Sequence, residues 1–122
     1  MTSLLFFAFR FLHKYWQQNR YRRIAFRELQ NLEQNAPDNP QILLENVSIL
    51  LRRVALQAYG REKVSPLSGE QWLAFLDSTC GTDRFSTGPA KILGHGLYQQ
   101  TPVFDARQVT QAVRQWIKGH KK

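Results

Sequence analysis

The spacing of hydrophobic residues changes once along the first third of the chain. Residues 4–12 are apolar apart from Arg10, so no polar face interrupts them. Further on, apolar residues recur every three or four positions, at Tyr21, Ile24, Ala25, Leu29 and Leu32. This spacing marks one buried stripe of a helix, and the first 36 residues contain no proline or glycine. The pattern predicts one long helix over 3–34 that is apolar all round at its start and amphipathic afterwards.

A second helix is predicted between Pro40, with Asn39 as its N-cap, and Gly60. Its wide apolar face consists of Ile42, Leu43, Val47, Leu50, Leu51, Val54 and Ala58. Arg52 and Arg53 lie at the edge of this face. We expect each of these arginines to be solvated or paired with a carboxylate.

Two capping boxes predict the remaining main helices. Ser68 and Gln71 match the Ser-x-x-Gln pattern before a short helix, in which Trp72 and Phe75 are the expected large core side chains. Asp105 opens the last helix, whose apolar side consists of Val109, Ala112, Val113, Trp116 and Ile117. Between these two helices, 89–93 is expected to form a brief helical turn. Because no stretch alternates with a period of two, the predicted fold is all-α, a small bundle of four main helices.

The charge of the chain predicts an anionic partner. Its 17 basic and 9 acidic residues give a net charge of +8, which suits phospholipid headgroups, nucleic acid or an acidic protein. One cationic block follows the apolar run and the other closes the chain: Arg20, Arg22, Arg23 and Arg27, then Lys118, His120, Lys121 and Lys122. Taken locally, a solvated helix face explains each block equally well.

The order of residues at the N-terminus is typical of a helix that leaves a bilayer on its cytoplasmic side. Hydrocarbon side chains come first, followed by interfacial aromatics and clustered cations. The membrane-interface site predicted on this basis consists of Tyr15, Trp16, Arg20, Arg22 and Arg23. The predicted organisation is a membrane-anchor stub over 1–18 and a helical cytoplasmic domain over 19–122. The localisation that follows is the cytoplasmic membrane, with the domain on its inner face.

The apolar run is too short to cross a bilayer by itself. A span needs about 20 apolar residues, and 4–12 supplies nine positions including Arg10. Three interpretations stay open: an anchor whose upstream half is missing from this chain, an interfacial amphipathic segment, or the core-facing end of a helix. Because Leu4 to Phe7 are apolar without interruption and do not form one face, we expect an apolar environment to surround them.

No catalytic, cofactor or metal site is predicted. Cys80 lies at a helix C-terminus beside Asp77 and Asp83, a setting that disfavours a reactive thiolate. No metal-ligand spacing connects the three histidines, His13, His95 and His120. An enzyme would require a convergent polar pocket around His95 in the loop over 82–101. The chain is therefore predicted to be non-enzymatic.

Nucleic-acid binding is the alternative function. Tyr15, Trp16 and Tyr21 alternate with arginines and would suit stacking on bases. The cations are not concentrated on a recognition helix, however, and no helix-turn-helix or zinc pattern occurs. The adjacent apolar run favours a membrane over a nucleic acid.

Five stretches in this order are similar to one family: 19–29, 50–56 with Tyr59, 64–67, 69–77 and 116–120. On these residues the chain resembles the bacterial domain-of-unknown-function family 4381. Members of that family usually carry a complete transmembrane helix before the basic cluster, so this N-terminus looks like a shortened anchor. The resemblance implies genes encoded beside MoxR-type AAA ATPases and von Willebrand factor A domain proteins. It implies no established activity, and an adaptor or scaffold role with one of these proteins as partner.

Overall fold

A computed structural model describes residues 2–35, 38–94 and 104–121, without the side chains of residues 2, 3 and 14–19. The described chain contains five α-helices and one short 3₁₀ helix, and no strand. They are α1 (Thr2–Gln34), α2 (Pro40–Tyr59), α3 (Arg61–Val64), α4 (Gly69–Cys80), the 3₁₀ helix (Pro89–Leu93) and α5 (Ala106–Gly119). The all-α prediction with four main helices is confirmed.

Local capping chemistry sets most of the helix ends as predicted. The Asn39 side chain accepts a hydrogen bond from the backbone N–H of Gln41 at 3.0 Å, and Asp105 caps α5 in the same way. Gly60 ends α2 with φ at 92°, a backbone conformation that favours glycine. The capping box at Ser68 is wrong in detail, because the Ser68 side chain makes no capping hydrogen bond. The chain enters α4 through Gly69, whose φ is 54°.

The second half of α1 packs against α2 and α5, which also contact each other. Tyr21, Ala25 and Leu29 are buried in this contact, and Leu32 is partly buried. Ile24 differs from the prediction, since 47 % of its surface is exposed. The buried stripe of α1 is narrower than the sequence suggested, because Ile24 lies about 100° around the helix from Ala25.

Tryptophans form the centre of the core, with Trp116 fully buried and Trp72 2 % exposed. The expectation for Phe75 is wrong, because this residue lies at the edge and is only partly buried. Phe85, from the loop after α4, is instead 1 % exposed. Asp77 accounts for the difference, because its carboxylate accepts the backbone N–H of Phe85 at 2.9 Å and so holds the loop against the bundle.

The two neighbouring arginines of α2 have different roles. Arg53 is exposed and lies 3.7 Å from Glu28, a loose surface pair as expected. Arg52 instead donates to the carbonyl oxygens of Val64 at 3.2 Å and Leu67 at 2.9 Å. Its guanidinium also lies 4.2 Å from the ring centre of Trp72. Arg52 therefore holds the connector between α2 and α4 against the core.

Candidate membrane-interface site

The first turns of α1 expose their apolar side chains. Between residues 4 and 12, every large apolar residue is more than half exposed, from 58 % at Phe6 to 75 % at Leu4. We call this segment the stem; its large apolar residues are Leu4, Leu5, Phe6, Phe7, Phe9, Phe11 and Leu12. Because none of them packs into the bundle, the interpretation of the stem as a core-facing helix end is wrong.

Ring contacts in the stem run along the helix itself. Phe6 and Phe7 meet edge to face with their centroids 6.5 Å apart, and Phe9 stacks on His13 at 6.3 Å. The guanidinium of Arg10 lies 5.5 Å from the Phe6 centroid. Arg10 is the one charge within the stem, and its contact with Phe6 places the cation over an aromatic face, where it is attracted by the ring.

Nine helical residues rise about 13 Å, against a hydrocarbon core of about 30 Å. Among the residues whose structure is described, no helix contains a stretch long and apolar enough to cross a membrane. The stem is therefore an apolar surface whose length is less than half the thickness of the hydrocarbon core of a bilayer.

The structure separates the predicted interface residues into three groups. Arg20 and Arg23 are exposed on α1. Arg22 is partly buried, and its guanidinium donates to the carbonyl oxygens of Lys118 at 2.8 Å and His120 at 2.7 Å. The predicted interface aromatics lie in α1, but their side chains are outside the described residues: Tyr15 and Trp16. Arg22 thus connects the predicted site to the end of α5.

The chain end after α5 is packed, which corrects the expectation of a solvated basic tail at His120. His120 is 1 % exposed and stacks on Trp116 with ring centroids 4.3 Å apart. Its Nδ1 lies 2.9 Å from the Trp116 carbonyl oxygen, and its Nε2 lies 2.6 Å from the Tyr21 hydroxyl. Since a carbonyl oxygen only accepts, Nδ1 carries a proton, and in a neutral imidazole Nε2 accepts from Tyr21.

A second tyrosine fastens the same chain end. The Tyr59 hydroxyl donates to the carbonyl oxygen of Lys121. The backbone N–H of Lys121 donates to the carbonyl oxygen of Thr79 at 2.9 Å. Burial raises the pKa of Tyr59 and of Tyr21, with the nearby Arg22 opposing the rise at Tyr21. Both phenols are therefore held in the neutral form that donates these hydrogen bonds.

The candidate catalytic groups do not assemble into a reactive centre in the described part of the chain. Burial raises the pKa of the Cys80 thiol, with Arg84 opposing the rise, so a thiolate is disfavoured there. His95 and the end of its loop lie outside the described residues. Within the described part of the chain, no group of three histidine, cysteine or acidic side chains is arranged to hold a metal ion.

One feature of the sequence predicts that the chain end after α5 is buried. His120 follows Trp116 by four positions, so the two side chains lie on the same helical face and His120 continues the buried side of α5. The partners across the bundle leave no local signal, because Tyr21 lies 99 positions from His120 and Tyr59 lies 62 positions from Lys121.

The fold and this site define a small all-α protein that carries an exposed apolar helical stem with cations at its base. A family described as Domain of unknown function (DUF4381) matches residues 1–119, and the chain belongs to this family. Comparisons with curated proteins and with solved structures find no match.

Proposed function

We propose that this protein is a non-enzymatic helical adaptor, tethered to the cytoplasmic face of the cytoplasmic membrane through its stem. The observation that carries the proposal is the exposure of the stem, where seven large apolar side chains are 58–75 % exposed on one helix. Removing one such side chain from water is worth about 1.5–3 kcal/mol. An acyl-chain environment is the partner that accepts apolar side chains on all faces of a helix at once.

The cations at the base of the stem support the orientation. Positively charged residues next to a hydrophobic helix favour the cytoplasmic side of a membrane. Arg20 and Arg23 are exposed there, and the first 27 residues contain no acidic residue. Each cation near an anionic leaflet adds about 1 kcal/mol, so this cluster strengthens the attachment that the stem provides.

The packed bundle is the part that would recognise a protein partner. The resemblance supports a MoxR-type ATPase or a von Willebrand factor A domain protein as that partner, with the adaptor holding it at the membrane. Isolation of the full-length protein from bacterial membranes, followed by identification of the proteins bound to it, tests this part of the proposal. Recovery of neither class of protein with the wild type would contradict it.

Vesicle binding tests the tether directly. The intact chain is mixed with vesicles of phosphatidylcholine containing phosphatidylglycerol, and the bound fraction is measured by sedimentation. Substituting Phe6, Phe7 and Phe9 by serine is expected to abolish binding, and R20E with R23E to weaken it strongly. Circular dichroism shows whether each variant keeps its fold. Undiminished binding by the serine variant would contradict the tether.

Nucleic-acid binding is the second candidate, favoured by three exposed arginines on one face of α1: Arg20, Arg23 and Arg27. Their spacing of three and four residues places them along a single stripe. This alternative predicts that duplex or single-stranded DNA is shifted in a gel, with affinity falling steeply between two salt concentrations. Tight vesicle binding without a gel shift would dismiss it.

A further inference from the structure

The basic residues of the chain concentrate in two segments that pack against each other. Segments 1–27 and 106–122 contain eleven of the 17 basic residues and none of the nine acidic residues. The intervening segment 28–105 carries all nine acidic residues and the other six basic ones. The helices of the two cationic segments, α1 and α5, are in direct contact. The fold therefore brings together charge that is split between the ends of the sequence.

Hydrogen bonds fix where the second cationic segment meets the first. Arg22 donates to the carbonyl oxygens of Lys118 and His120, and Tyr21 contacts the His120 ring. Further along, Arg114 of α5 pairs with Glu33 of α1, so the two helices run antiparallel. The C-terminal end of α5 thus lies beside Arg22, on the side of the bundle from which the stem leaves.

We propose that Lys118 and Lys121 complete a cationic collar around the base of the stem, together with Arg20 and Arg23, and that this collar binds anionic phospholipid headgroups. All four residues are exposed. The inference rests on the proposed membrane tether and adds to it a second binding element, which comes from the opposite end of the chain. It also gives Arg22 a positioning role, since this residue holds the α5 end in the collar through backbone carbonyls.

The position of the collar along α1 suits a headgroup layer. Arg22 follows Trp16 by six residues, which is about 9 Å along the helix axis. The screening length at physiological ionic strength is about 8 Å. If Trp16 lies at the interface, as interfacial aromatics do, cations at the level of Arg22 lie just beyond one screening length from the lipid charge. Their attraction to the headgroups is therefore weakened at physiological salt and grows as salt is lowered. The collar lies on the same helix as the stem. This favours a lipid surface over other anions as its ligand, because a membrane accepts the apolar stem and the cations together.

Charge removal at the α5 end tests the collar. Lys118→Gln is compared with Arg107→Gln, an exposed cation on the same helix about 16 Å further from the stem. Glutamine keeps the backbone carbonyls that Arg22 and Tyr59 bind, so the fold is preserved. Binding of the full chain is measured on phosphatidylcholine vesicles with and without phosphatidylglycerol. A cation at an anionic surface changes binding about fivefold, and screening reduces this at the level of Arg22. K118Q is therefore expected to lower binding about twofold and K118Q with K121Q about three- to fivefold, whereas R107Q should leave it unchanged.

The outcomes separate the collar from the tether. A loss confined to vesicles that contain phosphatidylglycerol, and diminishing as salt is added, supports the collar. If R20Q with R23Q weakens binding while K118Q with K121Q leaves it at the wild-type level, the collar is wrong and the tether stands. If the wild type binds no vesicles, both proposals fail. A loss of duplex DNA binding, with vesicle binding unchanged, would make nucleic acid the ligand of the collar cations and overturn the proposal.

Discussion

The two halves of α1 are one continuous helix with opposite environments. Phe9 and Phe11 in the stem are 70 % and 71 % exposed, whereas Tyr21 is 7 % and Leu29 0 % exposed further along. The difference does not follow from residue type, because the exposed half is the more hydrophobic of the two. What differs is the presence of packing partners, since the buried residues of α1 among those described, Tyr21, Ala25 and Leu29, all lie in the half that packs against α2 and α5.

This contrast shows that hydrophobicity alone does not place a residue in the core. Residues at a spacing of three and four have one face to bury, and two neighbouring helices suffice to cover it. A segment that is apolar all round would need partners on every side, and among the described residues none covers the stem, whose large apolar side chains are 58–75 % exposed. The exposed stem therefore contributes little hydrophobic free energy to folding.

The largest effect on stability is expected at Trp116 in the partnered region. This side chain is fully buried, stacks on His120 and donates from Nε1 to the Thr79 hydroxyl at 3.0 Å. Trp116→Ala removes these contacts and leaves a cavity, so the free energy of unfolding should fall by about 3–5 kcal/mol. Urea unfolding followed by circular dichroism measures it. A loss below about 1 kcal/mol would contradict the core assigned to α5.

A smaller effect distinguishes the two neighbouring arginines of α2. Arg52→Ala removes two charge-assisted hydrogen bonds and the contact with Trp72, and should cost about 2 kcal/mol. Arg53→Ala, the matched control, breaks only a loose exposed pair and should cost less than about 0.5 kcal/mol. The same urea titration compares them. Equal losses would show that the connector from Val64 to Leu67 does not depend on Arg52.

The alkaline limit of stability should depend on Tyr21. Burial raises its pKa in the folded state, so above pH 10 the unfolded chain loses this proton first and stability falls as pH rises. Tyr21→Phe should cost about 1 kcal/mol at pH 7, through the lost hydrogen bond to His120. The same variant should lose stability less steeply between pH 10 and 11. Tyr59 and Cys80 have raised pKa values too, and both remain in the variant as a common background.

Unfolding free energies of wild type and Tyr21→Phe at pH 7, 9, 10 and 11 provide the comparison. Parallel curves over the whole range would mean that Tyr21 ionises equally in both states. They would contradict its burial against His120 and the packed chain end built on it.

Local chemistry explains which parts of the fold were predictable. Asn39, Gly60 and Asp105 act on backbone groups within a few residues, so the helices that they limit were predicted from the sequence. The burial of Phe85 was not predicted and His120 was assigned to a basic tail, because each is buried through a partner elsewhere in the chain, Asp77 for Phe85 and Tyr21 for His120. Periodicity predicts which face of a helix is apolar, and it does not specify which helix will cover it.

In the candidate site, too, the sequence did not reveal contacts with partners far away in the chain. The exposure of Arg20 and Arg23 agrees with the interpretation of this block as a solvated helix face. Arg22 shares their sequence context and looks equivalent to them. Its hydrogen bonds to Lys118 and His120 cross the bundle, and only the tertiary structure reveals that it belongs to the packed chain end.

The smallest effect on stability is expected in the stem. It tests most directly whether the first half of α1 lacks the packing partners that the second half has. Phe7→Ser and Phe9→Ser remove large aromatic rings, which in a core would cost several kcal/mol. In the stem their rings are 67 % and 70 % exposed, so the free energy of unfolding should change by less than about 0.5 kcal/mol. Urea unfolding in the absence of lipid measures this. A loss above about 1 kcal/mol would mean that the stem packs on the bundle, since the contacts of Phe7 with Phe6 and of Phe9 with His13 lie along one exposed helix. Such contacts are worth only about 0.2–0.5 kcal/mol each.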